Sequence, residues 1–282
     1  FQAEDGIRDA QESRGLGDVY KRQARGEMDQ AIVHYREALR LQPGRMHAPY
    51  GLGLAFHAVG DLSQARRYLE RAVELDPNLV LAHLTLGQVC LKQGDTSRAV
   101  VHLRRAVTLD PSETQALRFL GRAELAEGRS AEGLEHLRRA VELEPKSAGL
   151  HAELGMAFLR LGRPADAVKA LRASVSLDRG STEVVNNLAW VLATCPDPSV
   201  RNSTEALELA IDICTETGHR KPELLDTLAA AYAAAGQFER AATTARQAAE
   251  LASHSGEHAL AAKIEERLRL YASGRPFYEA AP

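Results

Sequence analysis

An all-α solenoid is the fold class this 282-residue sequence predicts. It reads as about six and a half helix–turn–helix repeats in tandem, closed by a C-terminal capping helix. Three observations predict it. Pro43, Pro77, Pro111 and Pro145 recur at intervals of 34 residues. Small and apolar residues recur at the same offsets: Leu52-Gly53, Leu86-Gly87, Leu120-Gly121 and Leu154-Gly155, then Ala65, Ala99, Gly133 and Ala167. Each half-block carries apolar residues at helical spacing, as with Ala65, Leu69 and Ala72, and no strand is predicted. A unit of this length cannot bury its apolar face alone, so neighbouring units must stack.

Composition narrows the function. The chain is 45% hydrophobic and 26% charged, with a formal net charge of −3. A single core rarely grows past about 250–300 residues, but a repeat array lengthens without enlarging one core. Basic and acidic residues are mixed throughout. No block of Lys and Arg exists for a phosphate backbone, so no nucleic-acid partner is expected. Aromatics are only 5%, too few for a base-stacking platform. Cys90, Cys195 and Cys214 are far apart, odd in number and outside any CxxC. They are expected to pack as small hydrophobes. No run of about 20 apolar residues is present, so no membrane span is expected in this sequence.

In chain order, residues 1–23, FQAEDGIRDAQESRGLGDVYKRQ, lack the helical period. Gln2 to Asp9 is what a sequencing-library oligonucleotide would encode. Asp18 to Gln23 is what a transposon mosaic end would encode, and Ser13 to Gly17 fits the bridge between them. The segment is set aside as adapter-like and non-native; without it the formal charge is −2. On that reading the natural start of the chain is missing. Residues 24–45 supply only the second half of a repeat.

Complete units follow at 46–79, 80–113, 114–147 and 148–181. In the first, Leu52, Gly53 and Phe56 share one face of the first helix, and Gly53 and Ala65 allow the two helix axes to approach closely. Pro49 is tolerated in the first turn. Gly60 suits a left-handed cap, Asp61 suits the N-cap of the second helix, and Pro77 stops that helix. Ser112 and Gln115 suggest a capping box before the unit 114–147. In the unit 148–181, Arg179 stands where proline is expected. The unit 182–221 carries an insertion: Leu188 and Leu228 are 40 residues apart, and Pro196 and Pro198 mark a loop between the helices. The unit 222–253 is alanine-rich. Residues 254–272 are expected to form the capping helix, and 273–282 a loose tail.

The pattern resembles the tetratricopeptide repeat, W-x2-L-G-x2-Y…A-x3-F…P over 34 residues. The first aromatic of that signature is replaced here by Pro49, His83, Leu117 and His151. The resemblance implies a right-handed α–α superhelix whose concave face, lined by first-helix side chains, binds a protein or peptide ligand. It implies a groove presenting Tyr50, Leu54 and His57, then Leu84, Gln88 and Lys92, then Arg118, Phe119 and Arg122. The groove continues with Glu153, Met156 and Arg160, and with Asn186, Asn187 and Trp190. Arg118 and Arg122 lie four residues apart on one helix and could hold a carboxylate with paired donors. Asn186 and Asn187 could bond a peptide backbone. The carboxylate clamp of chaperone-tail-binding members is absent, because the matching positions carry Tyr50, Leu54, Thr85, Gln115 and Phe119. Only Asn187 fits the asparagine ladder of the sugar-transferring member. The C-terminal stretch also resembles the tails of large bacterial relatives, several of which carry an N-terminal membrane glycosyltransferase-like domain. The alternative function is therefore an accessory domain of such an enzyme.

No GxSxG, phosphate-binding loop or HExxH motif is present, so neither an enzyme activity nor a cofactor is expected. His34, His102 and His136 share one repeat position, with Tyr68 between them. A metal needs its ligands within about 2 Å, whereas adjacent helix axes are about 8–10 Å apart, so no metal site is expected from this row.

Overall fold

The computed structural model describes residues 28–279, and every regular element among them is an α-helix. The adapter-like segment 1–23, residues 24–27 of the half repeat and residues 280–282 of the tail lie outside the described residues. The chain divides into two compact units, one through Ala140 and one from Val141.

The first unit contains α1 (residues 28–41), α2 (His47–Val59), α3 (Leu62–Leu75), α4 (Val80–Lys92), α5 (Thr96–Leu109), α6 (Thr114–Ala126) and α7 (Ser130–Leu143), which carries the boundary. Helices pair because the 34-periodic glycines have no side chain. A Cβ on Gly53 would lie 2.5 Å from Leu69 Cγ, and one on Gly87 would lie 2.4 Å from Leu103 Cγ. Leu69 and Leu103 are completely buried in that space; such burial contributes roughly 1.5–3 kcal/mol per leucine. The α6–α7 pair is tighter. Gly133 replaces the alanine of the other units, and a Cβ there would lie 2.7 Å from the carbonyl oxygen of Gly121. The half repeat docks in the same manner, with the Tyr35 ring lying 2.5 Å from where a Cβ on Gly51 would be.

Turn chemistry fixes the pairing geometry. Gly60 and Gly94 adopt φ of 86° and 78°, a region that costs glycine nothing. Asp61 and Asp95 then cap the next helix, accepting from the backbone N–H of Gln64 (3.0 Å) and Arg98 (3.2 Å). Helices α3 and α5 end at an aspartate that turns back on itself: Asp76 accepts from the Asn78 N–H (3.0 Å) and Asp110 from that of Ser112 (2.9 Å). This corrects the expected capping box. The Ser112 hydroxyl donates to Asp110 at 2.6 Å, and Glu113 caps α6 instead, accepting from the Gln115 N–H.

The second unit contains α8 (Ala148–Arg160), α9 (Pro164–Leu177), α10 (Thr182–Thr194), α11 (Ser203–Glu216), α12 (Pro222–Ala234), α13 (Phe238–His254) and α14 (His258–Ala272). Gly155 repeats the close approach, with Leu171 Cγ 2.7 Å from where its Cβ would be. Helix α9 stops at Leu177 although Arg179 replaces proline. The aspartate turn alone suffices, since Asp178 accepts from the Gly180 N–H at 2.8 Å. The inserted loop is pinned by Asp197, which holds Ser199, and by the Asn202 N–H bonded to the Leu192 carbonyl at 3.0 Å. The alanine-rich α12 and α13 pack closely, and α14 covers them with Ala261, Ile264 and Tyr271 buried.

The described tail is not loose. The Glu279 N–H donates to the Thr194 carbonyl at 2.8 Å, and the Phe277 ring centroid lies 6.0 Å from that of Trp190. The indole presents apolar surface and an N–H donor on α10, and the tail returns to cover both. All three cysteines are buried, and burial pushes the Cys214 thiol up to about 11. Among the described residues no helix is long and apolar enough to cross a membrane.

Candidate functional site: the first-helix faces

In the first unit, first-helix side chains of successive repeats touch one another. Lys92 Nζ on α4 lies 2.9 Å from His57 Nε2 on α2, so the ammonium donates to a neutral imidazole. Burial, and then the Lys92 charge, hold the His57 pKa below its usual value. Tyr50 also reaches across to α4. Its hydroxyl neighbours that of Thr85, which donates to the Leu81 carbonyl at 2.7 Å, and burial pushes the Tyr50 pKa up. Gln88 lies half-buried on the same helix. On α6, the guanidinium carbons of Arg118 and Arg122 lie 5.6 and 5.7 Å from the Phe119 ring centroid, within cation–π range. Lys92 and Arg122 are exposed; Tyr50, His57 and Arg118 are half-buried. Leu84, expected to line the groove, is only 8% exposed and belongs to the core.

Two polar pairs in this unit were not foreseen. Glu124 is fully buried at the repeat position held by Phe56 in α2 and Cys90 in α4. His136 Nδ1 lies 2.7 Å from one carboxylate oxygen, and Arg104 Nη2 lies 2.8 Å from the other. Of the second-helix row, His34 is exposed, while Tyr68, His102 and His136 pack inward on different partners. Tyr68 stacks on Phe56 with centroids 5.5 Å apart, His136 bonds Glu124, and His102 meets His83. A carboxylate at a periodic apolar position, with a histidine twelve residues on, is the signal that could have revealed the first pair.

The second pair is two histidines that meet ring to ring. His83 Nε2 lies 3.2 Å from the Pro77 carbonyl, so that nitrogen carries the hydrogen. His83 Nδ1 is then an acceptor, and His102 Nδ1, at 3.2 Å, donates to it. Both rings are neutral, and burial lowers both pKa values. A base whose folded pKa is depressed contributes stability above its unfolded value and loses it as pH falls. Cooling-corrected thermal midpoints are expected to drop between about pH 7.5 and about pH 5.5, across the ordinary histidine range. A His83→Gln/His102→Gln variant should show a clearly smaller drop. An unchanged drop would mean that this pair does not titrate with unfolding.

In the second unit, Arg160, Asn187 and Trp190 line a groove of about 800 Å³, together with Leu159, Val191, Thr194 and Glu279. Arg160 is exposed. Asn187 Nδ2 lies 3.3 Å from Met156 Sδ, and Asn186 Oδ1 is buried without a hydrogen-bond partner. Within that groove Trp190 is met by the tail. Its Nε1–H donates to Glu279 Oε2 at 2.9 Å, and Arg267 lies 5.2 Å from its ring centroid. Arg267 is itself held by Asp226 through two bonds, of 3.0 and 2.5 Å. Arg201 lies 4.3 Å above the Tyr278 ring. Neither arginine, nor the tail itself, was foreseen at this face. These contacts join residues far apart in the chain and carry no period.

Comparison with known proteins matches the tetratricopeptide repeat family model to residues 16–80, 50–114, 84–148 and 120–183. A second model of the same repeat matches residues 222–247. The search of curated proteins gives no match. Among solved structures, YrrB, described as a TPR protein with an unusual peptide-binding site, is 19% identical. It covers 70% of this chain and 97% of its own, at a TM-score of 0.59. PilF of Pseudomonas aeruginosa is 23% identical over 82% of this chain and 96% of its own, at 0.60. A MamA RS-1 double mutant is 25% identical over 59% of this chain and 92% of its own, at 0.53.

Proposed function

This chain belongs to the tetratricopeptide repeat family, and from that premise we propose that it is a non-enzymatic scaffold that holds an extended protein or peptide segment on its first-helix faces. The contact between Lys92 and His57 carries the reading. It joins two residues 35 apart on successive first helices, so side chains at these positions share one face. With Arg118 and Arg122 that face is cationic, which favours an acidic segment: guanidinium–carboxylate pairs are strong and directional, and complementary charge speeds encounter. The solved relative described as having a peptide-binding site supports the same class of ligand.

Panning a random peptide library displayed on phage against the purified chain tests this. Peptides rich in Asp and Glu are expected to be enriched relative to panning on an unrelated helical protein. Failure to enrich any peptide above that control would overturn the reading.

A further inference from the structure

We infer that the α10 face of the second unit binds an extended segment with an aromatic residue two positions before a carboxylate, and that Phe277-Tyr278-Glu279 occupies this face in cis. The inference rests on the peptide-binding reading and names the ligand chemistry for this unit. The tail engages α10 as an extended ligand would. Its Glu279 N–H donates to the Thr194 carbonyl at 2.8 Å. That carbonyl is available because the last carbonyls of a helix have no intrahelical partner. Main-chain bonding of this kind is indifferent to sequence, and flanking side chains supply the selectivity.

Three receptor groups read the side chains. The Trp190 Nε1–H donates to the Glu279 carboxylate at 2.9 Å. Arg267 lies 5.2 Å from the Trp190 ring and 5.4 Å from the Phe277 ring, bridging receptor and tail. Arg201 covers Tyr278. Each cation is set in place from behind: Arg267 by Asp226, and Arg201 by the carbonyls of Cys195 (2.8 Å) and Pro196 (2.9 Å). A site ordered before its ligand arrives loses less freedom on binding.

The occupant is held at the surface, not in the core. Phe277 is half-buried, while Tyr278 and Glu279 are exposed. The groove that Glu279 lines is also lined by Leu159, Asn187 and Val191, with Arg160 on its wall. The one acidic side chain on that wall besides Glu279 is Asp197, already bonded to Ser199. A partner segment with the same aromatic-x-carboxylate chemistry competes with the tail for this face.

The test uses the full chain and a labelled synthetic peptide, SGRPFYEAAP, the sequence of residues 273–282. A Phe277→Ala/Glu279→Lys variant of the full chain frees the face. Fluorescence polarisation is expected to show saturable binding of the peptide to this variant, and weaker binding to the wild type by about tenfold or more. The tethered tail competes there at a high effective concentration. Trp190, the single tryptophan, should red-shift in the variant and shift back as peptide binds. A peptide carrying the same two substitutions should not bind. If the double variant loses helical circular dichroism, Phe277→Ser replaces it. No binding to the folded variant, or equal affinity for variant and wild type, overturns the inference. If library-selected peptides still bind the first unit in that event, the scaffold reading stands without it.

Discussion

Arg267→Ala is expected to destabilise the second unit by about 3–5 kcal/mol, the usual cost of removing one partner from a buried ion pair. Both partners are nearly inaccessible: 11% of the Arg267 side chain and 6% of that of Asp226 are exposed. Burial already raises the Asp226 pKa despite the neighbouring guanidinium. Without that cation the carboxylate would sit beside the Tyr271 hydroxyl, which is buried and has no hydrogen-bond partner. The loss also removes the cation packed on Trp190 and Phe277. Urea unfolding followed by tryptophan emission reads it directly, because Trp190 lies in the same cluster. In the variant the folded pKa of Asp226 is raised further, so its deficit should be largest at neutral pH and narrow as acid neutralises the carboxylate. Adding Asp226→Leu should recover most of the loss. A deficit below about 1 kcal/mol would show instead a solvated, surface-type pair.

Gly87→Val should cost about 3 kcal/mol, the upper end of the range for overpacking. The new Cβ would fall 2.4 Å from Leu103 Cγ and 2.6 Å from Cδ2, and Leu103 is fully buried. Helix propensity works the other way, since valine exceeds glycine there by a few tenths of a kcal/mol. That term is far too small to compensate. Gly149 in α8 supplies the contrast: nothing lies within 4 Å of its Cβ position. Gly149→Ala should therefore stabilise by about 0.5–1 kcal/mol. Paired urea titrations followed by circular dichroism would separate the two signs. Equal tolerance at positions 87 and 149 would refute the close helix approach.

The pairing of helices was legible in the sequence because it is local and repeated. Gly53, Gly87, Gly121 and Gly155 recur with the leucines that fill their space, and each pair lies within one repeat. Turn residues such as Gly60 and Asp61 were legible for the same reason. Arg179 looked like a defect until Asp178 was seen to end α9 by its own turn. Less could be read where contacts have no period. Glu124 occupies a core column, and its partner Arg104 comes from the preceding repeat. The candidate face was legible in part. Positions 57 and 92 do meet, whereas Leu84 turned inward. The return of Phe277 and Glu279 to Trp190 spans nearly ninety residues, and only folding brings them together.

Binding by the first-helix face is tested most directly by two charge reversals of equal size. A library-selected acidic peptide is titrated against wild type, against Arg118→Glu/Arg122→Glu on α6, and against Arg105→Glu/Arg139→Glu on the second helices α5 and α7. Both pairs change the net charge identically, so long-range attraction falls equally. The expected result is a loss of about 100-fold for the first pair, equivalent to about 2.7 kcal/mol, and less than about threefold for the second. Equal losses for the two pairs, or none for Arg118→Glu/Arg122→Glu, would contradict it.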